Sequence, residues 1–150
     1  MIAVDTNILV YAHRADSPWH KGADRVIAAL AEGTGQWAIP WPCLYEFYAI
    51  VTHPRIYLPP TPAKDALIQM RYWLASPTVV LLHEGEGFWD TLEPLLQSAN
   101  VRGGAVHDAR IAALCVRHGV KKLCSADRDF SRFPELVTEN PLRGVEPGLG

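Results

Sequence analysis

Cysteine is scarce and odd in number: Cys43, Cys115 and Cys124 each lie in an apolar stretch, with no CxxC pair. That excludes a disulfide framework and predicts buried, reduced thiols of a cytosolic protein. Long apolar runs are missing too. None approaches the roughly 20 residues needed to cross a bilayer. The opening Met1-Ile2-Ala3-Val4 has no basic region ahead of a long apolar one, so no secretory signal is read there. A soluble, cytoplasmic protein with no membrane partner is expected. Nor is there an excess of one charge: 14 Lys and Arg against 16 Asp and Glu give −2. Bulk charge is therefore not what would hold nucleic acid, although a local basic patch beside an acidic site stays compatible. There is no GxxxxGK[ST] loop to cradle a nucleotide. The six histidines show no close ligand spacing, which argues against zinc.

What is present is enough for a core. Hydrophobic residues make up 49% of the 150 and charged ones 20%, the balance of one folded domain. The apolar patterning predicts short strands at 2–5, 37–39, 78–82, 122–125 and 136–138. Between them it predicts helices: Ser17 with Pro18 opens one to about Glu32, and Pro42 opens one to about His53. Others follow from Thr61 to Leu74, Gly85 to Ser98, and Ala105 to His118, the last ended by Gly119. Strands alternating with helices predict an α/β sandwich around a mostly parallel sheet. Such sheets bind ligands beyond the carboxyl ends of their strands. Residues from Gly144 onward (GVEPGLG) read as a loose tail.

Four acidic residues stand out against this frame: Asp5, Glu46, Asp108 and Asp127. Asp5 closes the apolar run Ile2-Ala3-Val4 and opens the triplet Asp5-Thr6-Asn7. Its plainer role is to start a turn. Glu46 lies three residues after Cys43 and four before Ile50, on the border of an apolar helix stripe. There it either covers the core edge with its stem or aims a carboxylate into a cleft. Asp108 shares the wall of Ala105, Ile111, Ala112 and Cys115, a face that should be buried. An unpaired carboxylate there costs several kcal/mol or loses its charge. The alternative is a first-turn aspartate favoured by the helix dipole. Asp127 sits in Ser125-Ala126-Asp127-Arg128-Asp129 and doubles as a possible cap. Asp129 is a further candidate of the same kind. Asn7 and Ser125 have the chemistry to orient carboxylates or waters around them.

Two carboxylates 4 Å apart repel by roughly 4 kcal/mol at an effective dielectric of 20. A cluster of them calls for protonation or for a divalent cation. Hard oxygen ligands suit Mg²⁺ or Mn²⁺, which keep waters and fit water activation at a phosphodiester.

These segments resemble the PIN-domain ribonucleases, most closely the VapC toxins of bacterial toxin–antitoxin pairs. Ile2-Ala3-Val4-Asp5-Thr6-Asn7-Ile8-Leu9 is similar to the family's first-strand motif, and Glu46 stands where the family keeps an acidic helix residue. His107-Asp108-Ala109 with Ile111-Ala112-Ala113, and Ser125-Ala126-Asp127-Arg128-Asp129-Phe130, are similar to its later motifs. The likeness spans 1–143, leaving 144–150 as a flexible tail. It implies a PIN-like three-layer α/β/α sandwich and a Mg²⁺- or Mn²⁺-dependent endoribonuclease. Asp5 and Asp108 would be the principal metal ligands, and Glu46 and Asp127 would complete the pocket. A metal-activated water would leave a 5′-phosphate and a 3′-hydroxyl. It also implies a VapB-like antitoxin and a homodimer. Ser125 stands in place of the commoner threonine and keeps the hydroxyl.

RNA needs cations beside such a pocket, and Arg14, Arg102, Arg110 and Arg128 are the candidates, with Arg55 and Arg132 behind them. Phe47, Tyr48 and the segment Trp37 to Trp41 are expected at a partner surface. Two other classes fit the same residues: a metal-dependent phosphatase or nucleotide hydrolase, and a non-catalytic nucleic-acid- or partner-binding module. A DNA-directed nuclease is a closer variant. Activity on nitrophenyl phosphate but not RNA marks the first, and metal-independent RNA binding without cleavage the second.

Overall fold

The computed structural model describes residues 1–144 and 146–148. Five strands, β1 (Ile2–Val4), β2 (Trp37–Pro40), β3 (Val79–Leu82), β4 (Lys122–Cys124) and β5 (Thr138–Glu139), form one sheet in the order β3-β2-β1-β4-β5. Every neighbouring pair is parallel. Parallel sheets are covered by helices on both faces, so their central strands are apolar throughout. Ala3, Val4, Trp37, Ala38, Ile39, Leu123 and Cys124 are accordingly buried. Six helices flank the sheet in three layers: α1 (Thr6–His13), α2 (His20–Glu32), α3 (Trp41–Val51), α4 (Ala63–Leu74), α5 (Phe88–Ser98) and α6 (Val106–Arg117). This is the expected α/β/α sandwich. No helix among the described residues is long and apolar enough to cross a membrane.

The topology decides where a site can form. From β1 the chain builds outward through β2 and β3, then returns to the other side of β1 for β4 and β5. The order reverses between β1 and β4, and a crevice opens beyond the carboxyl ends of strands at such a reversal. The register Val4↔Cys124 sets the next residues, Asp5 and Ser125, side by side at that crevice. The Asp5 N–H donates to the Cys124 carbonyl at 2.9 Å and extends the ladder by one bond.

Several expectations are corrected. α1 was not expected, because Thr6, Ile8, Leu9, Val10 and Ala12 bury most of its surface and leave no amphipathic period to read. α2 starts at His20, not Pro18. Ser17 Oγ accepts from the Trp19 N–H at 3.1 Å and makes a turn ahead of the helix. The last strand lies two residues later than its apolar run, at Thr138–Glu139. Phe47 and Trp37 are not partner contacts: Trp37 lies in a central strand, and Phe47 faces the core, edge-on to Trp73 with ring centroids 4.8 Å apart. Ala38 and Ile39 are buried with them, while Tyr48 and Trp41 are half-buried. All three cysteines are free and buried, as expected. Of the expected tail 144–150, residues 145, 149 and 150 lie outside the described residues. The Gly148 N–H donates to the Pro18 carbonyl at 2.7 Å.

Candidate active site

α1 begins as soon as β1 ends, and Asp5 is its N-cap. Its Oδ1 accepts from the Thr6 N–H at 2.8 Å. The local role weighed for Asp5 is therefore real, and it coexists with a place in the crevice. The residue is only 5% exposed. Its carboxylate has two short donors and two long ones. Ser125 Oγ donates to Oδ2 at 2.7 Å. Asn7 Nδ2 reaches Oδ2 at 3.4 Å and Cys43 Sγ reaches Oδ1 at 3.5 Å. Burial pushes the Asp5 carboxyl upward, the Ser125, Thr6 and Cys43 bonds pull it back, and Glu46 adds a smaller upward push.

Ser125 and Asn7 tie the two strand ends together. Ser125 Oγ accepts from Asn7 Nδ2 at 3.3 Å and from the Asp127 N–H at 3.0 Å. Asn7 Oδ1 accepts from the Ala126 N–H at 3.1 Å. One hydroxyl thus fixes Asp5 on the β1 side and the Asp127 backbone on the β4 side. Both side chains hydrogen-bond the Asp5 carboxylate.

Asp108, Asp127 and Asp129 form the tight group. One carboxylate oxygen from each lies within 4.8 Å of the others. Asp127 caps the 3-10 turn Arg128–Arg132, its Oδ1 accepting from the Asp129 N–H at 2.8 Å. That turn brings Asp129 round toward the cluster. The sequence showed Asp129 as a supporting acid; the turn that positions it was not read, because five residues carry too little pattern. Asp108 is half-buried, not buried. It occupies the first turn of α6 at the crevice rim, while Ile111, Ala112 and Cys115 below it are enclosed. Its carboxyl is pushed up to about 6, first by burial, then by Asp127, Asp5 and Asp129, with Arg132 opposing.

Glu46 completes the crevice from α3. Its side chain is exposed, and its Oε2 accepts from Thr6 Oγ1 at 3.0 Å. Asp5, Glu46, Asp108 and Asp127 line one cleft of about 250 Å³, with Tyr11 and Tyr57 in its wall. Asp129 joins the carboxylate cluster from beside it. Thr6 and Cys43 were missed as site residues. Thr6 could have been found as the hydroxyl next to a strand-end aspartate. Cys43 could have been found as the residue one helical turn before Glu46.

The cations divide. Arg14 is bound bidentately by Asp16, at 2.9 and 2.6 Å, and stacks over Tyr57 at 4.3 Å. Arg110 is paired with Glu84, whose carboxyl it holds below the usual range. Both serve local structure. Arg102 and Arg128 are exposed and make no ion pair among the described residues.

Comparison with known proteins agrees with this geometry. The PIN domain family matches residues 2–136. The chain is 35% identical over 144 residues to Ribonuclease VapC43 of Mycobacterium tuberculosis, covering 96% of this chain and 97% of that one. It is 29% identical over 140 residues to Ribonuclease VapC48 of the same species, covering 93% and 97%. Among solved structures, VapBC2 from Rickettsia felis superposes with a TM-score of 0.65 at 20% identity, over 93% of this chain and 98% of that one. VapC20 of Mycobacterium tuberculosis, a Sarcin-Ricin loop cleaving toxin, superposes with a TM-score of 0.65 at 19% identity, over 87% and 93%. A sheet that reverses at its acidic end, and relatives matched along nearly the whole length, place the chain in the PIN-domain family, among the VapC proteins.

Proposed function

We propose that this chain is a Mg²⁺- or Mn²⁺-dependent endoribonuclease and the toxin of a toxin–antitoxin pair. The carboxylate cluster Asp108, Asp127 and Asp129 at the mouth of the Asp5–Glu46 cleft carries the reading. Its donor set is all hard oxygen, with no imidazole or thiolate in the group, and that fits a small hard dication. The Asp108 carboxyl is raised first by burial and then by repulsion from Asp127, Asp5 and Asp129, and one nearby guanidinium, Arg132, opposes it. A cation is the stronger remedy.

Asp108, Asp127 and Asp129 would hold the ion. Asp5 would complete its shell, because each Asp5 oxygen keeps one position filled only by a long, weak contact. Glu46, exposed across the cleft, would take the outer side. A bound ion supplies charge neutralisation at the scissile phosphate and acidification of the attacking water. The chain itself supplies position. Ser125 and Asn7 hold Asp5 against Asp127, so the acids are set before substrate arrives. Arg102 and Arg128, exposed and without an ion pair among the described residues, would meet phosphates.

The relatives are named ribonucleases, and the solved neighbours include VapBC complexes. Both support RNA as substrate and a VapB-like antitoxin as partner. An antitoxin arginine entering the cleft would compete with the cation for the same carboxylates. The exposed apolar side chains Ile56, Leu58, Ile68 and Tyr72 offer area for the antitoxin or for a second copy in a homodimer. The test is incubation of the purified chain with total RNA and, separately, with nitrophenyl phosphate, each in Mg²⁺, Mn²⁺ or EDTA. Metal-dependent RNA cleavage without phosphatase activity is expected. Phosphatase activity alone would replace this reading with the phosphate-ester one.

A further inference from the structure

A second cavity, larger than the acidic cleft, lies beside it. It is an open groove of about 1080 Å³ on the β5 side, between the α1–α2 connection and the C-terminal segment. Small-molecule sites run from about 300 to 1,000 Å³, so this groove exceeds the needs of one base. Tyr11 and Asp127 line both the groove and the acidic cleft, so the two spaces meet at those side chains. Beyond Asp127 the character changes. Trp19 and Tyr11 stand half-buried in one wall. Arg128 and Arg143 rise from the other side, exposed and without an ion pair among the described residues. Asp127 is the one carboxylate in the lining among the described residues. The hydroxyl of Thr138, in the same wall, is closed off from solvent with no hydrogen-bond partner.

We infer that this groove binds unpaired bases of a single-stranded RNA next to the phosphate that is cut, and that it sets which sequence is cut. The inference rests on the ribonuclease reading and deepens it. Much of the lining is apolar, with Phe130, Phe133, Leu136 and Leu142 at its floor, and the charged groups it does carry are arranged as an RNA strand needs. Carboxylates sit at the end where the scissile phosphate must lie. Aromatic rings and guanidinium groups sit at the end where neighbouring bases and phosphates must lie. Unpaired bases are recognised by stacking on aromatic side chains and arginine planes, with cations tracking the backbone. A duplex would present its bases already stacked and unavailable.

Binding can be read apart from cleavage. The background is Asp108→Asn in EDTA, and the probe is a fluorescein-labelled, random-sequence RNA of eight nucleotides followed by anisotropy. Val137 lines the groove and is 61% exposed, so Val137→Glu sets a negative charge against the RNA backbone without entering the core. Trp19→Ala removes a stacking face. Each is expected to weaken binding about tenfold, for Trp19→Ala the scale of one lost base stack. In the otherwise wild-type chain, Val137→Glu is expected to change the base preference beside the cut and to slow metal-dependent cleavage along with the loss of affinity. Unchanged affinity in both variants, or cleavage with an unaltered base preference, would overturn the groove. Failure of the wild-type chain to cut any RNA would instead overturn the ribonuclease reading, with the affinity comparison still deciding whether the groove binds RNA.

Discussion

Asp108 is held near 6 by burial and by three neighbouring carboxylates, whereas an unfolded aspartate ionises near 3.8. A carboxyl raised in the folded state contributes stability that is full below about pH 3.8 and is lost as pH climbs through 6. Asp108→Asn removes that loss. In EDTA at pH 7 the variant is expected to be more stable by about 1 kcal/mol, after discounting for solvent screening. That corresponds to roughly 2–4 °C in Tm. The difference should vanish near pH 4, and thermal melts at the two pH values check it; a variant less stable at pH 7 would make Asp108 a structural residue. Ser125 predicts the opposite sign. Its hydroxyl serves Asp5, Asn7 and the Asp127 backbone at once. Ser125→Ala leaves a buried carboxylate short of its best donor and is expected to cost about 1–3 kcal/mol in denaturant unfolding. Ser125→Thr restores the hydroxyl and should recover most of it. At this scale the sequence was most legible for Asp5, Asp108 and Asp127, because each interrupts or ends an apolar pattern. It was least legible for Thr6 and Cys43, whose part depends on what lies across the cleft.

The elements that carry these residues were legible where periodicity is long. α3, α4 and α6 were placed within two or three residues of their ends. α1 escaped because it is short and buried nearly all round, and the Arg128–Arg132 turn escaped because it is one turn of 3-10 geometry. The end of α6 was read correctly from Gly119. Its φ is +68°, and the Val120 N–H reaches the Cys115 carbonyl at 3.0 Å while the Gly119 N–H reaches Val116 at 3.2 Å. This pair of hydrogen bonds to the last turn reverses the chain directly into β4, and β4 leads into Ser125 and Asp127. Nothing lies within 4 Å of a Cβ added at Gly119, so Gly119→Ala tests backbone strain alone. About 1 kcal/mol of destabilisation is expected. Gly35→Ala, equally uncrowded and without positive φ, should cost less in the same urea titration.

Over the whole molecule, the fold class followed from alternation alone, and the site followed from where the strand order reverses. Neither the sheet order nor the groove beyond Asp127 has a local signature. Both arise when β5, Trp19 and the C-terminal segment, far apart in sequence, close on one another. The same scale decides which aromatics are free to bind. Trp37 and Trp73 are enclosed, Trp19 and Trp41 are half-buried and Trp89 is exposed. The apolar side chains left in water, Tyr72 at 71% and Leu58 at 82%, predict association. Tyr72→Glu combined with Leu58→Glu is expected to weaken antitoxin or self-association at least tenfold in sedimentation. The isolated chain should still melt as the wild type does. The acids gathered between β1 and β4 are proposed as the catalytic centre. The most direct test is single-turnover cleavage of RNA by the wild type, Asp5→Asn and Asp108→Asn in Mg²⁺ and in EDTA. Cleavage confined to the wild type with Mg²⁺, lost by at least a hundredfold in both variants, is expected. Metal-dependent cleavage that survives in either folded variant at wild-type rate would contradict it.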